Sequence, residues 1–240
     1  MISLEDLSIG YGGRRGPSTV GENLTAYMPD GTLTCLVGVN GIGKSTLVRT
    51  IAGFLPPVSG QVLVGKAGSA KSVTSMSGAE LARITGVVLT THSEMADLSV
   101  WDVVSFGRTP YTGIMGTLSD EDCEAIETAI QMVGIDSLVR RNADDLSDGE
   151  RQKVMIAKAL AQQTPVIILD EPSAFLDYPS KEELMRILRR LAHDEGKTVL
   201  LSSHDLDIVR RYADMFWIME RKDGSVIMRS SDTLHADPFF

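Results

Sequence analysis

Thr32-Leu33-Thr34-Cys35-Leu36-Val37-Gly38-Val39-Asn40-Gly41-Ile42-Gly43-Lys44-Ser45-Thr46 decides the fold. Residues 32–37 are a short, β-prone apolar run, and residues 38–46 satisfy G-x-x-x-x-G-K-[ST]. Ser45 to Ala52 then carries helix-forming residues as far as the breaker Gly53. Strand, glycine loop and helix in that order let backbone N–H groups curl around phosphates at the positive end of a helix. The expected nucleotide-binding set is Gly38, Asn40, Gly41, Gly43, Lys44, Ser45 and Thr46. Lys44 is expected to reach the β and γ phosphates and the Ser45 hydroxyl to ligate Mg²⁺. A structural glycine-rich turn is the plain alternative.

Farther along, Val166-Ile167-Ile168-Leu169-Asp170-Glu171-Pro172 is four apolar residues ending in adjacent carboxylates. That puts both acids at the C-terminal edge of a buried strand, where open α/β sheets bind ligands. Asp170 is expected to hold Mg²⁺. Glu171, with its side chain directed differently, is expected to polarise a water for in-line attack on the γ-phosphate while the metal and Lys44 absorb charge. Alone, the segment reads as an exposed Asp-Glu-Pro turn; the phosphate loop upstream reverses that preference. Leu146-Ser147-Asp148-Gly149-Glu150-Arg151-Gln152 precedes an amphipathic helix and presents a serine hydroxyl with a helix N-terminus. By itself it is an ordinary helix cap, and beside a phosphate loop it becomes a candidate second anion site.

The rest of the chain predicts how these pieces are held. Ile2–Ile9 and Val20–Met28 read as a hairpin-like β lobe, Gln61–Val64 and Thr85–Leu89 as short strands, and the Gly/Ser/Ala/Lys stretch between them as an exposed loop. From Ser99 to Gln163 the signal is helical, with Ile126, Ala129, Ile130 and Val133 at i, i+3, i+4, i+7 behind a start at Ser119. Strand, helix and strand return at 166–169, around Leu184, Ile187, Leu188 and Leu191, and at 198–201. No repeat, Pro-rich linker or charge block interrupts the 240 residues, and 230–240 reads as a peripheral tail. With 43% apolar and 23% charged residues the chain is globular. Its formal charge of −9 argues against a nucleic-acid partner, whose binding needs many Lys and Arg contacts. Cys35 and Cys123, without ligand spacing, are expected as core thiols in a reducing compartment. Acids at Glu5 and Asp6, and the lack of a long apolar run, predict a soluble, cytoplasmic chain that would serve a membrane by docking onto another protein.

Together these segments resemble the ATP-binding subunit of an ABC transporter, with Walker A at 38–46, Walker B at 166–171 and LSDGERQ similar to the LSGGQ signature. The similarity runs over nearly the whole chain. It implies an α/β fold: a P-loop NTPase (RecA-like) core with a mainly parallel sheet, an N-terminal antiparallel β lobe and an inserted α-helical subdomain. The implied bounds are a single 1–240 domain, with core and lobe at about 1–91 and 164–229 and the helical subdomain at about 92–163. In that family two subunits pair head to tail, so Ser147, Gly149 and, from the loop Ser173-Ala174-Phe175-Leu176-Asp177, Asp177 are implied contacts to the partner copy's ATP. His204 in Leu201-Ser202-Ser203-His204-Asp205 falls at the switch histidine that contacts the γ-phosphate. Tyr11 matches the aromatic that stacks on adenine.

Two departures stand out. Where the family offers Gln after the strand at 86–89, this chain has Thr90-Thr91-His92, and Thr91 aligns with the Gln as a shorter metal contact. The signature carries Asp148 for Gly and Glu150 for Gln, and both acids are expected to point away from the phosphates. Asp102-Val103-Val104-Ser105-Phe106-Gly107-Arg108-Thr109-Pro110-Tyr111-Thr112-Gly113 is similar to the valine-rich helix and GRxPh/Y of iron-chelate, haem and vitamin B12 import ATPases; its plain reading is a helix ending at Gly107 and a turn. The resemblance therefore implies ATP and Mg²⁺, a homodimer, polytopic permease subunits, indirectly an extracytoplasmic binding protein, and a peripheral place on the cytoplasmic face of the inner membrane. A soluble ABC-type ATPase of iron–sulfur assembly or another non-transport role, such as repair or translation, is the competing class, and a simple P-loop kinase a third.

Overall fold

The computed structural model of the chain describes residues 1–12, 18–89, 97–113 and 116–234. Ile2–Tyr11 (β1) and Ser18–Met28 (β2) pair antiparallel, as the hairpin-like lobe requires. Leu33–Val37 (β3) is buried along its whole length and leads through the glycine loop into Lys44–Ile51 (α1). Ser59–Val64 (β4) and Lys71–Ser72 (β5) complete a four-stranded sheet of order β2-β1-β4-β5. The stretch expected as an exposed loop is more ordered than that. It holds β5, a 3₁₀ turn at Val73–Ser75 with Val73 buried, and Gly78–Ala82 (α2), started by a Ser77–Glu80 capping box.

Thr85–Val88 (β6) is followed by Val100–Ser105 (α3), Asp120–Val133 (α4) and Asp148–Ala161 (α5). The chain then returns through Val166–Leu169 (β7), Tyr178–His193 (α6), Thr198–Ser202 (β8) and Leu206–Tyr212 (α7), and closes with the hairpin Met215–Lys222 (β9) and Ser225–Ser231 (β10). The second sheet has the order β10-β9-β3-β8-β7-β6, parallel except for β10. The β9–β10 hairpin is not among the expected elements, and β10 carries the fold into the start of the expected tail. Leu234 also packs on the core, while 235–240 lie outside the described residues.

Alternation along the buried strands divides the interior in two. Cys35, Leu169 and Leu201 face the cluster built with α3 to α6, whereas Leu36, Ile168 and Leu200 face the one shared with α1 and the β lobe. The central sheet is thus apolar on both sides, as parallel strands between layers must be. Cys35 is buried as expected, and burial pushes its thiol far above the usual range. Cys123 is only partly buried on α4, because its position lies beside the apolar stripe of that helix.

Arg108 ties the helical part together. Its guanidinium, 3% exposed, donates from Nε to Asp122 Oδ1 at 2.7 Å and from Nη1 to Ala161 O at 2.8 Å and Gln163 Oε1 at 2.9 Å. The Tyr111 ring lies over it at 4.1 Å. A buried cation is tolerated only when its donors are satisfied in this way. Bonds from the Ser119 backbone, Arg108 and the Ser119 hydroxyl hold the Asp122 carboxyl down at about 2. The expected helix end at Gly107 is a 3₁₀ turn over Phe106–Arg108.

Candidate functional site

Three strand ends build the site. Parallel register sets Leu169 beside both Val88 and Leu201, so the residues that follow, Asp170 and Ser202, emerge together at the carboxyl edge of the sheet. β8 lies between β3 and β7, so the glycine loop enters this edge from the far side of Ser202. That loop needs its glycines. Gly43 takes φ 116°, and a Cβ there would meet Val20 Cγ1 at 2.5 Å.

Lys44, 6% exposed, donates to Gly38 O at 2.8 Å and stands 3.7 Å from Glu171 Oε1. Ser45 Oγ donates to Asp170 Oδ1 at 3.2 Å. Glu171 has a left-handed backbone, φ 49°, which costs a non-glycine residue about 1–3 kcal/mol unless its surroundings hold it. Its N–H donates to Ser202 Oγ at 2.8 Å, and Ser202 Oγ donates to Asp170 Oδ1 at 2.7 Å. On the outer side, Glu171 Oε2 lies 2.6 Å from His204 Nδ1. Lys44, Ser45, Asp170, Glu171 and His204, widely separated in sequence, therefore form one connected cluster.

Two adjoining clefts open onto it. One of about 370 Å³ is lined by Asn40, Ser45, Arg49, Asp170, Glu171 and His204; the other, of about 450 Å³, includes Tyr11, Val20, Gly41, Gly43, Lys44 and Thr46. These volumes are in the range of small-ligand sites. Tyr11 is half-exposed at the mouth of the second, its hydroxyl 2.9 Å from Thr46 Oγ1. The Ser45 hydroxyl and the Asp170 carboxylate are hard oxygen donors held together, and two such ligands suit Mg²⁺, which keeps waters and takes its other oxygens from phosphates. Thr91 lies outside the described residues.

The second anion region differs from expectation. Ser147 caps α5, its Oγ accepting from Glu150 N at 3.3 Å. Glu150 does not point away: its Oε2 accepts from Ser147 N at 2.9 Å and from Ser147 Oγ at 2.8 Å. A capping box satisfies two otherwise orphan donors, and that gain draws the acid back over the helix end. The same bonds from Ser147, with Arg141 nearby, hold the Glu150 carboxyl below its usual range. Gly149 lines a small cavity of about 130 Å³ with Ser147 and Glu150. Asp177 is exposed and caps α6, Oδ1 accepting from Ser180 N at 3.1 Å; bonds from the Ser180 side chain and backbone lower its carboxyl as well. None of Ser147, Gly149 or Asp177 belongs to the Lys44–His204 cluster.

Residues 22–174 match the profile of the family described as ABC transporter. The chain belongs to the ABC transporter family. It is 35% identical over 226 residues to the iron(3+)-hydroxamate import ATP-binding protein FhuC of Bacillus subtilis, an alignment covering 94% of this chain and 80% of that protein. The ferric enterobactin transport ATP-binding protein FepC of Escherichia coli is 34% identical over 227 residues, with 95% and 80% covered. Among solved structures, cbiO1 of Clostridium perfringens, part of the cbiONQ ABC transporter complex, superimposes with a TM-score of 0.79 at 29% identity, covering 96% of this chain and 88% of that one. A dimeric bacterial ABC transporter cassette has the same fold, with a TM-score of 0.79 at 24% identity and 97% and 98% covered. This chain is an ABC transporter ATPase that binds and hydrolyses ATP. Ser202 is the site residue that the motifs do not reveal. A polar residue closing an otherwise apolar strand, in the run Thr198-Val199-Leu200-Leu201-Ser202, was the available signal.

Proposed function

We propose that this ABC transporter ATPase energises import of an iron–siderophore, haem or related metal chelate. Two copies would pair head to tail against polytopic permease subunits on the cytoplasmic face of the cell membrane, supplied by an extracytoplasmic binding protein. The importer relatives and the Arg108-centred GRTPY segment support the cargo class. Among the described residues no helix is long and apolar enough to cross a membrane, which fits a chain that docks onto a permease. The single observation that carries the chemistry is Glu171, held between Lys44 and His204 beside the Ser45–Asp170 pair.

In this reading Tyr11 stacks on adenine, and the N–H groups of 38–46 cradle the phosphates. Lys44 spends one of its three donors on Gly38 O and turns the others to the β and γ phosphates. Ser45 and Asp170 would hold Mg²⁺, which when bound neutralises charge developing on the phosphate oxygens. Glu171 orients the attacking water and accepts its proton. His204, engaged with Glu171 through Nδ1, keeps Nε2 for the γ-phosphate. Ser147, Gly149 and Asp177 of the facing copy close on the same nucleotide, which requires Glu150 to release the Ser147 hydroxyl. The helical subdomain at 92–163 carries that signature as a unit of the single 1–240 domain.

Glu171→Gln tests the site. ATP binding should stay within twofold, turnover should fall at least ~100-fold, as expected for loss of a general base, and the ATP-bound dimer should last longer on size exclusion. Turnover at the parent rate would remove Glu171 from the base role. Isolation from detergent-solubilised native membranes with ATP and Mg²⁺ tests the partner: a polytopic permease in near-equal amount supports import, and recovery of soluble assembly proteins alone overturns it.

A further inference from the structure

Ser202 stands two residues before His204 with no role of its own in the motifs, yet it is fully buried, and its hydroxyl makes two bonds to the two adjacent acids. We propose that Ser202 is a positioning residue for ATP hydrolysis, a single hydroxyl that sets the Asp170 carboxylate and the Glu171 backbone at once. The proposal rests on the ATPase reading of the same cluster.

The geometry leaves little choice of roles. A hydroxyl has one proton to give and lone pairs to accept with. Here the proton goes to Asp170 Oδ1 at 2.7 Å, and the Glu171 N–H is received at 2.8 Å. β7 ends at Leu169, so neither acid is held by the ladder that aligns Val166–Leu169 with Thr198–Leu201. Asp170 N still reaches Val88 O, at 2.9 Å. From Glu171 onward the chain turns through φ 49°, and the Ser202 Oγ is the acceptor that meets its N–H there. The Ser202 proton on Oδ1 fixes the rotation of the carboxylate whose same oxygen faces Ser45 Oγ at 3.2 Å. The N–H bond fixes the turn that aims Glu171 between Lys44 and His204. β8 also separates β3 from β7, so Ser202 is the one residue of that strand able to join the acid edge from inside the sheet. Ser202 touches neither substrate nor water in this account; it acts through the two acids.

The test compares Ser202→Ala, Ser202→Cys and Ser202→Thr in the full chain. Three quantities are read: binding of a fluorescent ATP analogue in EDTA, Mn²⁺ affinity by electron paramagnetic resonance with non-hydrolysable ATP, and kcat with KM. In Ser202→Ala, binding in EDTA and KM should stay within about twofold, while Mn²⁺ affinity falls about fivefold and kcat about 20-fold, sizes typical of losing bonds to a charged group. Ser202→Cys fills the space with a weak donor and should behave like Ala. Ser202→Thr keeps the hydroxyl and should recover kcat to within about threefold. Parent-like Mn²⁺ affinity and kcat in Ser202→Ala would overturn the proposal, as would a parent-like Ser202→Cys, which would make the role one of packing. If Ser202→Ala fails to fold, the contrast of Cys with Thr decides in the same way. A parent chain without Mg²⁺-dependent ATP hydrolysis would instead defeat the ATPase reading itself, whatever the variants do.

Discussion

Two helix N-termini in this molecule, those of α1 and α5, share a backbone dipole and have opposite chemistry. α1 begins at Gly43 with no side-chain cap and no acid in its first turn. α5 begins at Ser147 with a complete capping box, and its first turn carries Asp148 and Glu150. The closed form is this chain's usual habit, since α2, α3 and α4 start with the boxes Ser77–Glu80, Ser99–Asp102 and Ser119–Asp122. α7 also lacks a side-chain cap but carries Asp207 in its first turn, so among the described α-helices α1 alone has neither cap nor acid. The first N–H groups of a helix lack internal partners, so an end left uncapped is ready for phosphate, whereas a capped end has already met its need. For α5 to receive a phosphate its own carboxylate must yield, and a cap of this kind is worth about 1 kcal/mol. In the proposed head-to-tail pair the facing nucleotide would have to offset that cost.

The largest effect should come from breaking the bare end. Gly43→Ala places a methyl against Val20 at a backbone angle alanine resists, and ATP affinity should drop about 100-fold by fluorescence titration with the fold intact by circular dichroism. A smaller effect is expected at the closed end. Ser147→Ala should leave binding to the isolated chain within twofold, lower steady-state ATPase activity about tenfold and cost about 1 kcal/mol in denaturant unfolding. The smallest and most telling is Glu150→Gln. It keeps the reach back to Ser147 but removes the competing charge, so the ATP concentration needed for half-maximal dimerisation should fall about threefold. Its sign with pH is also fixed. A carboxyl held low in the folded chain contributes stability that is present above its unfolded value, about 4.5, and lost as pH falls through the folded one; the Gln variant should lack that acid-side loss. Equal behaviour of the two ends in these three variants would dissolve the contrast.

How much of this was legible depends on how local each signal is. The loop at 38–46 and the acids at 170–171 read directly, because each is a contiguous run whose strand, turn and ligand residues are neighbours. The Ser119 start of α4 read correctly for the same reason. Glu150 did not: its composition suggests repulsion from phosphate, but the deciding term is the pair of bonds to Ser147 three residues back. Ser202 was hidden because its meaning comes from the cross-strand register of Leu201 with Leu169, which brings Ser202 out beside Asp170 and which the primary sequence does not display. The β9–β10 hairpin was missed despite a fair signal, Asp223-Gly224, both at positive φ, between two strand-forming runs.

Arg108 grips the C-terminal end of α5, while Ser147 caps the opposite end of the same 14-residue helix, about 20 Å away at 1.5 Å per residue. A clamp at one end of a stiff rod converts angle into distance. A tilt of about 5° about the Arg108 anchorage moves the Ser147 hydroxyl by about 2 Å, the difference between a hydrogen bond and none. In the proposed pair the bonds from the buried guanidinium to Asp122, Ala161 and Gln163, with the packing along α5, would thus limit how far the Ser147 end strays from a facing phosphate.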